Sequence, residues 1–136
     1  MAKTILVDRD MGDGKRLIEA LEQVHFRIQA ALWLYDPEAF VWQLIIATPL
    51  VDERGPRYTY TEIQRVMRSM TPPLSISLED VSVLSPADNL IKLLGKAVRI
   101  PSSLSGVRFT RNTINSTYIE DAYIYRIRSI AKSPAA

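Results

Sequence analysis

Carboxylates and arginines are the side chains with which this chain could do chemistry. It has no cysteine and a single histidine, His25, which rules out thiol nucleophiles, disulfides and thiolate metal sites. The most suggestive acids are Asp8 and Asp10, which follow the apolar run Ile5-Leu6-Val7. An Asp-x-Asp at a strand end can hold Mg²⁺ and accept a phosphoryl group. That chemistry needs further acids at neighbouring strand ends, and no later acid pair offers them. Read as a calcium loop, Asp8, Asp10 and Glu19 take the first, third and twelfth positions, but Asp13 stands where the obligatory glycine belongs. The pair reads as surface acids leading a helix. Asp13-Gly14-Lys15 lacks the Gly-x-x-x-x-Gly-Lys spacing of a phosphate loop.

His25 has no second imidazole or thiolate to share a zinc ion, and no Gly-x-Ser-x-Gly elbow accompanies the serines. Its place between a helix and a strand predicts that it caps the last helical carbonyls. The loop Asp52-Glu53-Arg54-Gly55-Pro56-Arg57-Tyr58 is denser in charge. Free amides at a helix start, with Arg54 and Arg57, form a candidate anion site. Asp52 and Glu53 compete for the same arginines, and a solvated salt-bridged loop is the expected state. Towards the C-terminus, Arg108, Arg111, Tyr118, Tyr123, Tyr125, Arg126 and Arg128 interleave base and aromatic, as single-strand nucleic-acid platforms do. Strict alternation puts Tyr123, Tyr125 and Ile127 on one face and Ala122, Ile124, Arg126 and Arg128 on the other. Stacking and phosphate contact then fall on opposite sides, so nucleic acid is not favoured.

The strongest lead is aromatic. Phe26–Tyr35 and Phe40–Thr48 read as two strands joined at Asp36-Pro37-Glu38-Ala39. That turn sets Tyr35 opposite Phe40, Trp33 opposite Trp42 and Ala31 opposite Leu44. One face then carries Trp33, Tyr35, Phe40, Trp42, Leu44 and Ile46, and the other Ile28, Ala30, Leu32, Leu34, Val41 and Ile45. Polar interruption is confined to Arg27, Gln29 and Gln43, so both faces require cover. The aliphatic face suits helices. The aromatic one calls for more of this chain, a second subunit or a ligand.

The elements that must hold this hairpin follow from periodicity. The sequence predicts a short strand or helix lead at Thr4–Asp8, and a helix from Asp13 to about Val24. A second helix opens at Pro56 or Thr59 and stops at Thr71-Pro72-Pro73, with Tyr60, Ile63, Val66, Met67 and Met70 as its buried stripe. A strand at Leu78–Leu84, a helix from Ser85-Pro86-Ala87-Asp88 to Gly95, and strands at Val107–Arg111 and Tyr118–Arg128 complete the order (β)-α-β-β-α-β-α-β-β. This is an α+β chain: one domain over residues 1–136, a mixed or antiparallel sheet, three helices mainly on one face, and a frayed tail at 131–136.

At 136 residues, 47% hydrophobic and 24% charged, the chain can bury roughly two-thirds of its unfolded surface. Its formal charge of +2 does not call for a polyanion. No leader pattern follows Met1-Ala2-Lys3, and no apolar run is long enough for a membrane span, so a cytoplasmic protein is expected. Asn115-Ser116-Thr117 matches a glycosylation acceptor without a secretion signal to give it meaning.

These features favour a small non-catalytic binding module. It is expected to need no metal or cofactor and to act as a homo-oligomer, a dimer by preference, or on a protein or small-molecule ligand. Trp33, Tyr35, Phe40 and Trp42 form the expected contact surface, with Arg54 and Arg57 as anion-binding charges. An enzyme using carboxylates and arginines near 52–60 is the first alternative. A single-stranded nucleic-acid binder using the C-terminal strands is the second.

Overall fold

Two apolar sheet faces demand two layers of cover, and helices supply both. The computed structural model describes residues 3–97, 106–114 and 117–127. Its elements are α1 (Asp8–Gln23), β1 (Ala30–Asp36), β2 (Val41–Ala47), α2 (Leu50–Ser69), β3 (Val81–Leu84), α3 (Asn89–Ala97), β4 (Val107–Ile114) and β5 (Thr117–Ile127). The five strands form one mixed sheet in the order β3-β2-β1-β5-β4, in which only β2 and β3 run parallel. The expected element order and α+β class are both present. The expected loop over residues 100–105, the Asn115-Ser116 acceptor, Arg128 and the 131–136 tail lie outside the described residues.

The central hairpin differs in register from the expectation. Asp36 pairs with Val41, Tyr35 with Trp42 and Trp33 with Leu44. The Asp36 carboxylate accepts the backbone N–H groups of Glu38 and Ala39 at 3.0 and 3.4 Å, which keeps Asp36 in the ladder and moves the turn to Pro37–Phe40. A shift of two residues preserves which face each side chain occupies. Trp33 and Trp42 therefore share a face without standing opposite each other. Phe40 leaves the strand and takes the last turn position, with φ at 58°.

The cover also falls differently. α1 and α2 lie on the aromatic face, where Leu17, Ile18, Leu21 and Ile63 pack with Trp33, Trp42, Leu44 and Ile46. α3 lies on the aliphatic face, where Ile91 and Leu94 meet Ala30, Leu32, Ile45 and Ile124. Burying an indole the size of Trp33, fully enclosed here, is worth about 5 kcal/mol at most before entropy is counted.

Several boundaries move for local reasons. α1 starts at Asp8 because the Asp10 carboxylate reaches back to the Val7 amide. Segment 4–7 is the lead into it, and Lys3 alone bridges to Trp42. Leu50–Arg54, expected as loop, is helical up to a break at Gly55 (φ 87°, ψ 162°), after which Pro56 restarts α2. Leu78–Asp80 forms a 3₁₀ turn held by the Ser77 amide and hydroxyl on Asp80. Asp88, rather than Ser85, caps α3, and Gly95 stays inside it.

β5 carries a bulge where Ala31 pairs with Arg126 but Leu32 with Ile124. The extra residue, Tyr125, points to the aromatic face, and Arg126 follows it there. Strict alternation had put Arg126 on the other side. Ile127, expected beside Tyr125, instead packs in the aliphatic cluster.

Tyr125 is then wedged against α1. Its hydroxyl accepts the Trp33 indole N–H at 3.0 Å and donates to the Met11 carbonyl. A Cβ on Gly14 would sit 2.3 Å from that hydroxyl, so only glycine lets the helix approach this closely. Gly14→Ala should cost about 1–3 kcal/mol: lost packing and hydrogen bonds outweigh the roughly 1 kcal/mol gained in helix propensity. The check is urea unfolding; an unchanged or raised midpoint would show that the contact does not limit the approach of α1.

Candidate functional site

The acids that head the list of reactive side chains are structural. Asp10, only 3% exposed, pairs with Lys3 at 3.2 Å and accepts the Ser75 hydroxyl at 2.9 Å. Asp13 accepts the Ser75 amide at 2.7 Å and the Arg16 guanidinium at 3.1 Å. Arg16 also donates to the Pro72 carbonyl, and Lys3 to that of Ser75. The network fastens the N-terminal segment, α1 and the 72–75 loop together, and among the described residues no acid–histidine cluster suits a metal ion. Asp8 is exposed beside it.

Burial pushes the Asp13 pKa up. The Ser75 and Arg16 hydrogen bonds push it down further, and the net result lies below the ordinary carboxylate value. A group whose native pKa is depressed stabilises the fold above its unfolded pKa, about 3.9, and that stabilisation fades as pH falls through the native value. Asp13→Asn should therefore lower stability at pH 7 and flatten its decline below about pH 4. Denaturant titrations at several pH values test this, and a parallel acid limb in both proteins would overturn it.

His25 is exposed, with φ at 63°. Its backbone N–H bonds the Glu22 carbonyl and that of Phe26 bonds Leu21, both at 3.0 Å, the pattern that closes a helix through a left-handed residue. It does cap α1, but with its backbone.

Arg54 and Arg57 are both exposed where α2 breaks. The Arg54 guanidinium lies 4.1 Å from the centre of the Tyr58 ring. The competing acids turn elsewhere: Glu53 pairs with Arg27, and Asp52 accepts the Ser85 hydroxyl at 2.8 Å.

The four aromatic residues are divided by the fold. Trp33 is fully buried and Trp42 nearly so, while Tyr35 is half-buried, its ring centre 5.4 Å from that of Trp42. Phe40 is 66% exposed at the hairpin tip. The cover their face required comes from α1 and α2. Arg108 closes its outer end: it grips Asp121 with two bonds of 2.6 and 2.8 Å, and its guanidinium lies 5.6 Å from the Trp42 ring centre. In the C-terminal strands, Arg126 is buried against Glu22. Hydrogen bonding to Asp121 raises the Arg108 pKa further, and burial pushes the Tyr125 phenol up. These arginines hold acids and rings of this chain.

The opposite sheet face is incompletely covered where α3 begins, at Asn89. Beyond its first turn a cleft of about 410 Å³ opens over β1, β2 and β3. Leu34, Ile45 and Leu84 line it beside Gln43 and Ser82, Leu90 forms the α3 wall, Thr117–Glu120 the β5 wall, and Tyr35–Pro37 the rim. Gln43 accepts the Ser82 hydroxyl at 2.6 Å and donates to the Glu79 carbonyl, so its position is fixed. An apolar floor with a few oriented polar groups, at this volume, has the character of a small-ligand site. A second depression of about 760 Å³ runs past His25, Phe26, Arg27 and Pro49, along the α1–β1 loop.

Sequence reasoning missed this cleft. The available signals were Gln43, the polar break in β2, and the start of a helix after Ser85-Pro86-Ala87-Asp88. No protein-family model, curated protein or solved structure matches this chain.

Proposed function

We propose that this chain is a cytoplasmic, non-catalytic binding module whose ligand sits in the cleft beside α3. The observation that carries the reading is an apolar sheet floor left open beside the first turn of α3, within the size range of ligand sites. The engagement of the interior acids supports it: Asp10 and Asp13 are held by Lys3, Arg16 and Ser75, which suits anchoring better than proton transfer.

Fragment cocktails added to methyl-labelled protein should move the Leu34, Ile45 and Leu84 methyl resonances together. Shifts confined to residues around Asp10 and Asp13, or none at all, would remove the cleft as the binding site.

Phe40 favours a second reading, self-association through the hairpin tip. It is a large apolar side chain, 66% exposed in a turn, and aromatic anchors are enriched in interfaces. Light scattering at two concentrations should give a dimer that Phe40→Ser converts to monomer with little loss of stability. A monomer at both concentrations would end this reading.

A further inference from the structure

We propose that the cleft is one half of a bipolar trough that takes a short peptide, with an apolar side chain lying between a basic residue and an acidic one. This deepens the binding-module reading and rests on it. A second depression of about 490 Å³ lies along α3, and it shares Leu90 and Thr117 with the first. The two therefore adjoin at one wall, formed by Leu90 and Thr117.

Their ends differ in charge. Asp36 and Glu120 line the cleft at the hairpin end, and Lys92 and Lys96 line the depression along α3. The two lysines are four residues apart, so they project from the same side of the helix, one turn from each other. Among the described residues none of these four side chains is held in an ion pair. The Asp36 carboxylate caps its own turn and keeps its charge at the rim.

Length and polarity select the occupant. From Leu90 to Lys96, both lining the depression, α3 rises about 9 Å at 1.5 Å per residue, the reach of roughly three extended residues. The apolar middle, floored by Leu34 and Ile45, takes one or two side chains of a peptide. A polyanion would meet repulsion at Asp36 and Glu120, and a lipid tail would leave both charged ends without a counter-charge. A peptide with opposite charges two to four residues apart satisfies both ends and the middle.

The test is selection of random octapeptides displayed on phage against the immobilised full chain, followed by affinity measurement on the enriched sequences. They should carry Lys or Arg and Asp or Glu on either side of an apolar residue. Filling the floor with Ser82→Trp should abolish their binding. Glu120→Gln, and Lys92→Gln with Lys96→Gln, should each weaken it about three- to ten-fold at low salt. The Glu120→Gln penalty should vanish for a peptide whose basic residue is also neutralised. Circular dichroism and melting confirm that each variant is folded. Peptides that need an open floor but lack the charge pair would overturn the bipolar inference and leave the binding module standing. Enriched peptides indifferent to Ser82→Trp, or no enrichment, would overturn the inference too, and the fragment shifts then decide separately whether the cleft binds anything.

Discussion

The Tyr125 phenol is the contact on which the rest of this fold depends. It is the extra residue of the β5 bulge, which turns Arg126 to the same face, and it meets α1 only because position 14 is glycine. Between them it joins the Trp33 indole to the Met11 carbonyl. Three elements distant in sequence are set by one buried hydroxyl, and an unsatisfied donor or acceptor there would cost more than the bonds themselves contribute. Once α1 is seated so closely, the acids of its first two turns come within reach of Lys3 and Ser75. The polar network is a consequence of that approach.

Coverage of the sheet is uneven as a result. Two helices of 16 and 20 residues crowd the aromatic face, whereas among the described residues the other has α3 alone. The crowded face seals the tryptophans beneath α1 and α2. On the opposite side the strands run past the end of their cover, and the floor of β1, β2 and β3 meets solvent. The free strand edges are guarded separately. The outward amide of Val83 donates to the Tyr60 hydroxyl at 3.1 Å, and β4 carries Arg108 and Arg111 with a left-handed kink at Arg111.

Element order, sheet class and the core-facing stripe of α2, with Ile63 buried and Tyr60, Val66, Met67 and Met70 partly so, were legible from residue types, because periodicity and Pro or Gly stops decide them locally. The shared face of Trp33 and Trp42 was legible too, since a register error of two preserves parity. Three things were not. The turn depended on whether Asp36 would stay in the ladder while capping it. The bulge at Tyr125 has no signature in Asp121-Ala122-Tyr123-Ile124-Tyr125-Arg126, where simple alternation looks complete. The helices settled on the aromatic face because Gly14 admits Tyr125, a fit between positions 111 residues apart. The candidate cleft stayed hidden for a related reason: it is defined by where α3 begins, and helix boundaries are read least well from sequence.

The bulge also sets how this chain can tolerate changes of length. Losing Tyr125 would restore an unbroken pleat and leave Arg126 opposite Ala31, but it would take away the hydroxyl that joins the Trp33 indole to the Met11 carbonyl. A buried indole N–H left without its acceptor carries a penalty of about 1–3 kcal/mol. At the tip of the β1–β2 hairpin, by contrast, gaining or losing residues in pairs leaves every side chain on its own face. Insertions and deletions should therefore accumulate at Pro37–Phe40 and be purged from the middle of β5.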